Sequence, residues 1–417
     1  KKEATNKINA SKDMNKIIFI NRYFYPDHSA TSQMLSDLAF GLTSQIEDKE
    51  IHIVTSQQRY DDASAKLPAY EQINQVHIHR VKTTQFGRQN LMGRAGDYLS
   101  FYFSAASKLF QLTKKGDTLV AKTDPPLISV IAAIIAKLKK AHLVNWLQDL
   151  FPEVAAELGI KLASGIIYKI LKGIRNKTLQ QAKMNVVIGE LMAERLRKEG
   201  IADNKITVIH NWADGEQIKP VPHEKNPLRK EWGLEGKFVV GYSGNLGRSH
   251  DFSTILAAAE ALKDNPEIIF LFIGGGAQLP DIKQHCEEKG LSNVMFKPYQ
   301  PRENLDKSLS VSDVHLISLK PELEGLIVPS KFYGVLAAGR PVIFIGDNAG
   351  ELAGIIKREQ CGQCIEQNVS DQLVLAINEQ TAQENKLETE IVIRTLFDTQ
   401  FSKQRALMQF DEVLRER

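Results

Sequence analysis

Short runs of β-branched and aromatic residues alternate along almost the whole chain with stretches of helical period, and this alternation narrows the choice of folds more than any other feature. A strand that passes through a helix into the next strand returns in the same direction, so the pattern predicts parallel sheets assembled from βαβ units. Strands are predicted at 17–21, 51–55, 76–80, 118–121, 142–147 and 185–188 in the first half, and at 205–210, 238–244, 268–274, 294–297, 314–318 and 341–345 in the second. A chain of 417 residues exceeds what one hydrophobic core organises, and each set suits one doubly wound, Rossmann-like α/β domain. The expected boundaries are a disordered polar leader at 1–16, a first domain at 17–210 and a proline- and charge-rich linker at 211–230. A second domain follows at 231–395, then a helix at 396–417 that crosses back to the first domain.

The net charge of +3 lacks the basic excess of a dedicated nucleic-acid binder, so no nucleic acid is expected as a partner. The charge is unevenly spread: residues 1–200 hold 29 basic against 19 acidic groups, and residues 201–417 hold 24 against 31. A basic first half suits a membrane surface or a phosphorylated acceptor, and equally a plain solvated face. Three cysteines make no disulfide framework, and Cys361 with Cys364 forms a lone C-x-x-C without the second pair of a zinc site. The expectation is a cytoplasmic chain of free thiols with no metal. The longest apolar stretch, 127–136, is far shorter than the roughly 20 residues of a membrane-spanning helix.

Three segments of the second half point to phosphate chemistry. In FVVGYSGNLGRSHDF a buried strand ends in a turn with Gly244 and Gly247 before a helical pattern from Phe252. Glycines let backbone approach a diphosphate, the helix start offers unpaired N–H groups, and Arg248 adds a guanidinium. A tight structural turn has the same appearance. LFIGGGAQL repeats the arrangement at Gly274, Gly275 and Gly276, again at the carboxyl end of a strand, where open α/β sheets collect ligands. In PELEGLIVPSKFYGVLAAGRPVIF, Glu322, Glu324 and Gly325 lie in a loop facing a helix start marked by Pro329 and Ser330. A carboxylate there suits sugar hydroxyls. Lys331 sits in the first helical turn, where the helix dipole disfavours a cation and a bound anion would resolve the conflict.

In the first half, NRYFYPDHSATSQ leaves its strand through a polar loop whose Ser29, Ala30 and Thr31 suit helix capping or acceptor contacts. NWLQDLFPE sets Asp149 and Glu153 beyond another strand end, positioned for acceptor hydroxyls or for solvent. An apolar helical pattern carries Lys161, Lys169, Lys172, Arg175 and Lys177, as an interfacial helix on anionic lipid would, or an ordinary amphipathic helix.

Taken in order, YFYPDHSAT, QDLFPE, IHNWAD, YSGNLG, FIGGG and GLIVPSKFYGVLAAGRPV resemble the bacterial family-four glycosyltransferases of the GT-B fold. The likeness runs from Ile17 to the C-terminus and is strongest to the branch that builds O-antigen, capsule and colanic acid, including L-fucosamine transferase-like proteins. The resemblance implies two Rossmann-like domains facing across a cleft. It implies retaining transfer from a nucleotide-diphosphate sugar, usually a UDP-sugar, without a metal or other cofactor. The donor belongs to the second domain and a glycan or polyprenyl-diphosphate-linked acceptor to the first, peripheral to the inner membrane face. By motif, Gly244 and Asn245 fall near the diphosphate, the stretch Lys297, Pro298 and Tyr299 near the base, and Glu324 on the first glutamate of an E-x7-E element. The second glutamate is missing, since Phe332 and Gly334 occupy the two ways of counting to it. Asn245 and His250 stand where the family has Arg and Lys, so Arg248 and Lys331 are assigned to the phosphates by inference from their surroundings. Competing expectations are a nucleotide-sugar 2-epimerase of the same fold and a catalytically silent sugar-nucleotide binder.

Overall fold

The computed structural model describes residues 14–27, 29–60, 64, 66–86, 91–160 and 165–415. The described chain divides into two compact units, one running to His210 and resuming at Ala406, the other spanning Asn211–Arg405.

The first unit is built on β1 (Asn15–Ile20), β2 (Lys49–Ser56), β3 (Tyr70–Ile73), β4 (Val76–Val81), β5 (Thr118–Ala121), β6 (His142–Trp146), β7 (Met184–Val187) and β8 (Ile206–Val208). Their order in the sheet is β3-β4-β2-β1-β5-β6-β7-β8, and every pairing is parallel except that of β3 with β4. β3 is an edge strand with alternating exposure, too short and polar to register as an apolar run. β8, predicted in the second run of strands yet inside the 17–210 boundary of the first domain, pairs with β7 and extends the first sheet. Helices α1 (Ala30–Leu42), α2 (Leu91–Leu112), α3 (Ile128–Lys139) and α4 (Gly165–Gln181) connect these strands. Ile18, Ile20, Val54, Phe101, Leu109, Leu119, Ile128 and Leu143 close the core between sheet and helices, all but excluded from solvent. Burial of this kind stabilises by about 25 cal/mol per Å² of apolar surface.

The second unit carries β9 (Phe238–Asn245), β10 (Ile268–Gly275), β11 (Val294–Lys297), β12 (Val314–Ser318), β13 (Val342–Ile345) and β14 (Gly362–Ile365), in the all-parallel order β11-β10-β9-β12-β13-β14. Among its helices are α5 (Ser253–Ala261), α6 (Leu279–Lys289), α7 (Lys331–Ala337) and α8 (Glu351–Glu359). β14 is not predicted from sequence, because its residues, including Cys364, form no apolar run. Cys361 is buried just before it, and burial pushes that thiol up to about 12, which leaves it far from the thiolate a redox pair requires.

The segment at 211–230 is fastened to the second unit. Arg340 donates to the carbonyl of Val221, and Arg394 to those of Ile218 and Gly215. The last helix, α9 (Lys403–Arg415), sets Phe410 against the Trp146 ring at 4.8 Å, and Lys49 of β2 donates to the carbonyl of Leu414.

Candidate active site

In the second unit the strand order reverses between β9 and β12, so a crevice opens at the carboxyl ends of these strands. The two glycine turns lie there. Gly244, Gly274 and Gly276 have φ of 132°, 137° and 151°, a region open to glycine and strained for other residues. A Cβ on Gly274 would run into the carbonyl of Gly244, and one on Gly276 into Asn245 and the carbonyl of Leu246. The turns therefore need glycine in order to pack on each other, whether or not a ligand is bound. Tyr299, 61% exposed, lays its ring edge along Gly274 and Gly275 and donates from its hydroxyl to the Gly275 carbonyl at 3.1 Å. Pro298 beside it is exposed as well.

Lys331 opens α7 and turns its ammonium back under Gly244. The nitrogen lies 3.6 Å from the centroid of the Tyr242 ring and 3.7 Å from where a side chain on Gly244 would begin. Among the described residues it has no hydrogen-bond acceptor, and it has almost no contact with solvent, although the stem is half-exposed. Loss of water pulls its pKa well below the ordinary lysine range. A buried cation facing only an aromatic ring is unfavourable, and an anion at the glycine turn would relieve it.

His250 meets the same ring edge-on, with centroids 6.1 Å apart, and donates from Nδ1 to the carbonyl of Ser318 at 2.6 Å. Burial, reinforced by the charge on Lys331, holds it down to about 3. A neutral imidazole tied to backbone does not replace the cation of the family motif.

The acids of the loop separate. Glu322 is exposed, whereas Glu324 is buried and its Oε2 accepts from the backbone N–H of Glu351 at 3.1 Å, the first residue of α8. Its other oxygen lies so close to Gly350 that any side chain there would collide with it. Glu324 thus serves the start of α8. Gly325 turns the loop with φ of 75°, and Ser330 precedes α7 without capping it through its side chain. Arg248 and Asn245 are exposed, and Gly247 is buried against the Asn245 amide.

In the first unit the reversal falls between β1 and β5. Lys122, just past β5, is buried; its ammonium donates to the carbonyl of Thr31 at 3.0 Å and lies 3.9 Å from the Trp146 ring centroid. Burial draws Lys122 down to about 7 against the charges of Asp124 and Asp149. Asp149 is pushed up to about 7 by its removal from water and by Asp124, with Lys122 opposing. The sequence reading missed Lys122 and Asp124, because one lysine at a strand end carries no signal until its neighbours are known. Asp149 joins them. Glu153 does not: Arg175 grips its carboxylate with bonds of 3.1 and 2.6 Å, and Lys172 lies at 3.8 Å. Ser29 makes no side-chain cap to α1, and its hydroxyl is buried without a hydrogen-bond partner among the described residues; Ala30 is exposed.

α4 also differs from the expected basic stripe. Arg175 is buried, Lys172 pairs with Glu199 at 2.5 Å, and Lys161 lies outside the described residues. Lys169 and Lys177 remain exposed beside Ile166, Ile167, Ile170 and Ile174, of which Ile166 is 74% exposed.

Residues 224–392 match the family described as glycosyl transferases group 1. A probable glycosyltransferase of Pseudomonas aeruginosa, WbjE, is 31% identical over 273 residues, 65% of this chain and 67% of that protein. A putative colanic acid biosynthesis glycosyl transferase of Escherichia coli strain K12, WcaI, is 26% identical over 286 residues, 66% of this chain and 68% of that one. Among solved structures, HepE from Anabaena in complex with UDP-glucose superposes with a TM-score of 0.71 at 17% identity, over 96% of this chain and 99% of its own. That likeness is one of fold, the GT-B arrangement of two Rossmann-like domains.

Proposed function

Because the chain belongs to the group 1 glycosyltransferases, we propose that its donor is a UDP-sugar, bound in the second unit, and that the sugar passes with retention to a hydroxyl of a glycan or polyprenyl-diphosphate-linked acceptor. The observation that carries this reading is the ammonium of Lys331, stripped of water and of acceptors beside Gly244. A diphosphate in the crevice supplies the missing counter-charge. As the bond from the anomeric carbon to the diphosphate oxygen breaks, negative charge grows on the leaving group. Lys331 lies beside the glycine turn where that charge would develop, and such preorganised stabilisation is worth several kcal/mol. Arg248 is free to close over the outer phosphate oxygens, and Tyr299 offers an exposed ring to the base.

The acceptor is assigned to the first unit, near Lys122, Asp124 and Asp149. A carboxyl group held near neutrality is suited to share a proton with an attacking hydroxyl. The reading needs no protein nucleophile and no metal in the transfer. Support for a UDP-sugar comes from the HepE complex, and for a surface polysaccharide from the relative named for colanic acid biosynthesis. No described helix is long and apolar enough to cross a membrane. We assign the chain to the inner membrane face, held there by the exposed isoleucines of α4 with Lys169 and Lys177.

The test is a mass-spectrometric screen of UDP-sugars with a lipid-linked acceptor, alongside each sugar nucleotide alone. The expected product is the elongated acceptor with release of UDP. Isomerised donor without acceptor would make the chain an epimerase, and no turnover with any donor would leave it a binding protein.

A further inference from the structure

We propose that Glu50, His52 and His77 form a site for one divalent transition ion of zinc's chemistry, spanning β2 and β4 in the first sheet. The register brings them together. His52 lies opposite His77 and Val54 opposite His79 in the parallel pair, and alternation then sets Glu50, His52, His77 and His79 on one face of the sheet. On the neighbouring antiparallel strand, Tyr70 lies opposite His79 and Gln72 opposite His77.

One ligand atom from each of Glu50, His52 and His77 lies within 4.8 Å of the other two. Bonds of about 2.0–2.2 Å in a tetrahedral zinc site hold donor atoms roughly 3.3–3.5 Å apart, so small side-chain rotations close the set. Nε2 of His52 already lies 3.1 Å from Oε2 of Glu50. The His77 ring stacks on His52 with centroids 4.5 Å apart, and being half-buried it has room to turn its Nε2 inward.

The surrounding hydrogen bonds suit two ligating imidazoles. Nδ1 of His52 lies 3.0 Å from Nε2 of His79, and the Tyr70 hydroxyl lies 2.9 Å from Nδ1 of His77. With Nε2 of each ring as the ligand, each partner engages the remaining nitrogen and so sets tautomer and ring orientation. With an ion on Nε2, the ring proton of His52 stays on Nδ1 and is accepted by His79. Two nitrogens and one carboxylate oxygen leave a fourth position for water, a donor set that suits zinc and rejects magnesium or calcium. Lys16 and Lys108 place positive charge near the histidines, so the site binds more weakly than a cysteine-rich structural one. The cluster sits toward the amino-terminal half of β2 and β4, whereas ligands of the transfer gather at carboxyl ends. Its role is to staple the β3–β4 edge to β2.

The experiment uses the full chain, free of any affinity tag and treated with chelator. Zinc chloride is titrated calorimetrically, cobalt(II) is followed by its visible absorption, and melting is recorded with and without zinc. The expected result is one zinc per chain, a tetrahedral cobalt spectrum and a raised melting temperature. His77→Gln should abolish all three, and Glu50→Gln or Tyr70→Phe should weaken binding by about tenfold or more. His77 and Glu50 are half-buried, so these variants should keep the fold, which circular dichroism checks. Equal zinc affinity in wild type and His77→Gln would move the ion elsewhere, to Cys361 and Cys364 for example, and overturn the assignment. Absence of zinc binding by the folded wild type would overturn it as well.

Discussion

Lys331 shows what one residue contributes when its surroundings oppose its charge. Its ammonium has Tyr242 for company and no acceptor among the described residues, an unfavourable setting that a diphosphate would compensate. Lys331→Met, close in shape and uncharged, should raise stability by on the order of 1 kcal/mol in urea titrations. The same variant should lower turnover by about 10²–10³ at saturating donor. Unchanged turnover would remove Lys331 from the mechanism. Asp149 gives a pH signature. Its pKa rises from 3.8 to about 7 on folding, so between those values the native state holds a proton that the unfolded chain has lost. Stability therefore falls as pH rises through this window. Asp149→Asn should flatten that decline in melts recorded between about pH 4 and 7; parallel curves for the two proteins would contradict the assigned shift.

At the scale of elements, Glu324 couples the sugar loop to α8. Its carboxylate occupies the N-terminal end of that helix, where a negative group meets unpaired N–H donors. Glu324→Gln should cost about 1 kcal/mol of stability, the size of a lost helix cap, whereas exposed Glu322→Gln should cost nothing measurable. If Glu324 also reads the donor sugar, calorimetric donor affinity falls further for Glu324→Gln than for Glu322→Gln. Equal donor affinity in the two variants, with only stability separating them, would confine Glu324 to the helix. The glycine turns show a related double duty: Gly274 is required by the close carbonyl of Gly244 before any phosphate enters.

For the whole molecule, the uneven charge and the isoleucines of α4 make membrane docking testable. Each basic residue near an anionic surface contributes about 1 kcal/mol, and the Debye length shrinks to about 3 Å at 1 M salt. Vesicles containing anionic lipid should therefore sediment the protein at low salt and release part of it at high salt. Changing Ile166, Ile167 and Ile170 to Ser should remove the salt-resistant fraction, and adding Lys169→Gln and Lys177→Gln should remove the remainder. Sedimentation of the fivefold variant equal to wild type would exclude α4 as the docking element.

The βαβ order, the strands of both sheets apart from β3 and β14, and the glycine turns at β9 and β10 are legible in the order of the amino acids alone. Periodicity and turn chemistry are local properties, written within a few residues of where they act. That order also marks Lys331 as misplaced for its helix end, the one electrostatic conflict visible without coordinates. Which polar groups lose water and which find partners is set by how distant segments pack. Packing buried Lys122 over Trp146, joined it to Asp124 and Asp149, gave Glu153 to Arg175, and neutralised His250 on the carbonyl of Ser318. Strand pairing decided that β8 extends the first sheet, and that histidines 25 residues apart, His52 and His77, face each other. Such outcomes depend on contacts between distant segments, and desolvation and pairing energies arise only when those segments meet.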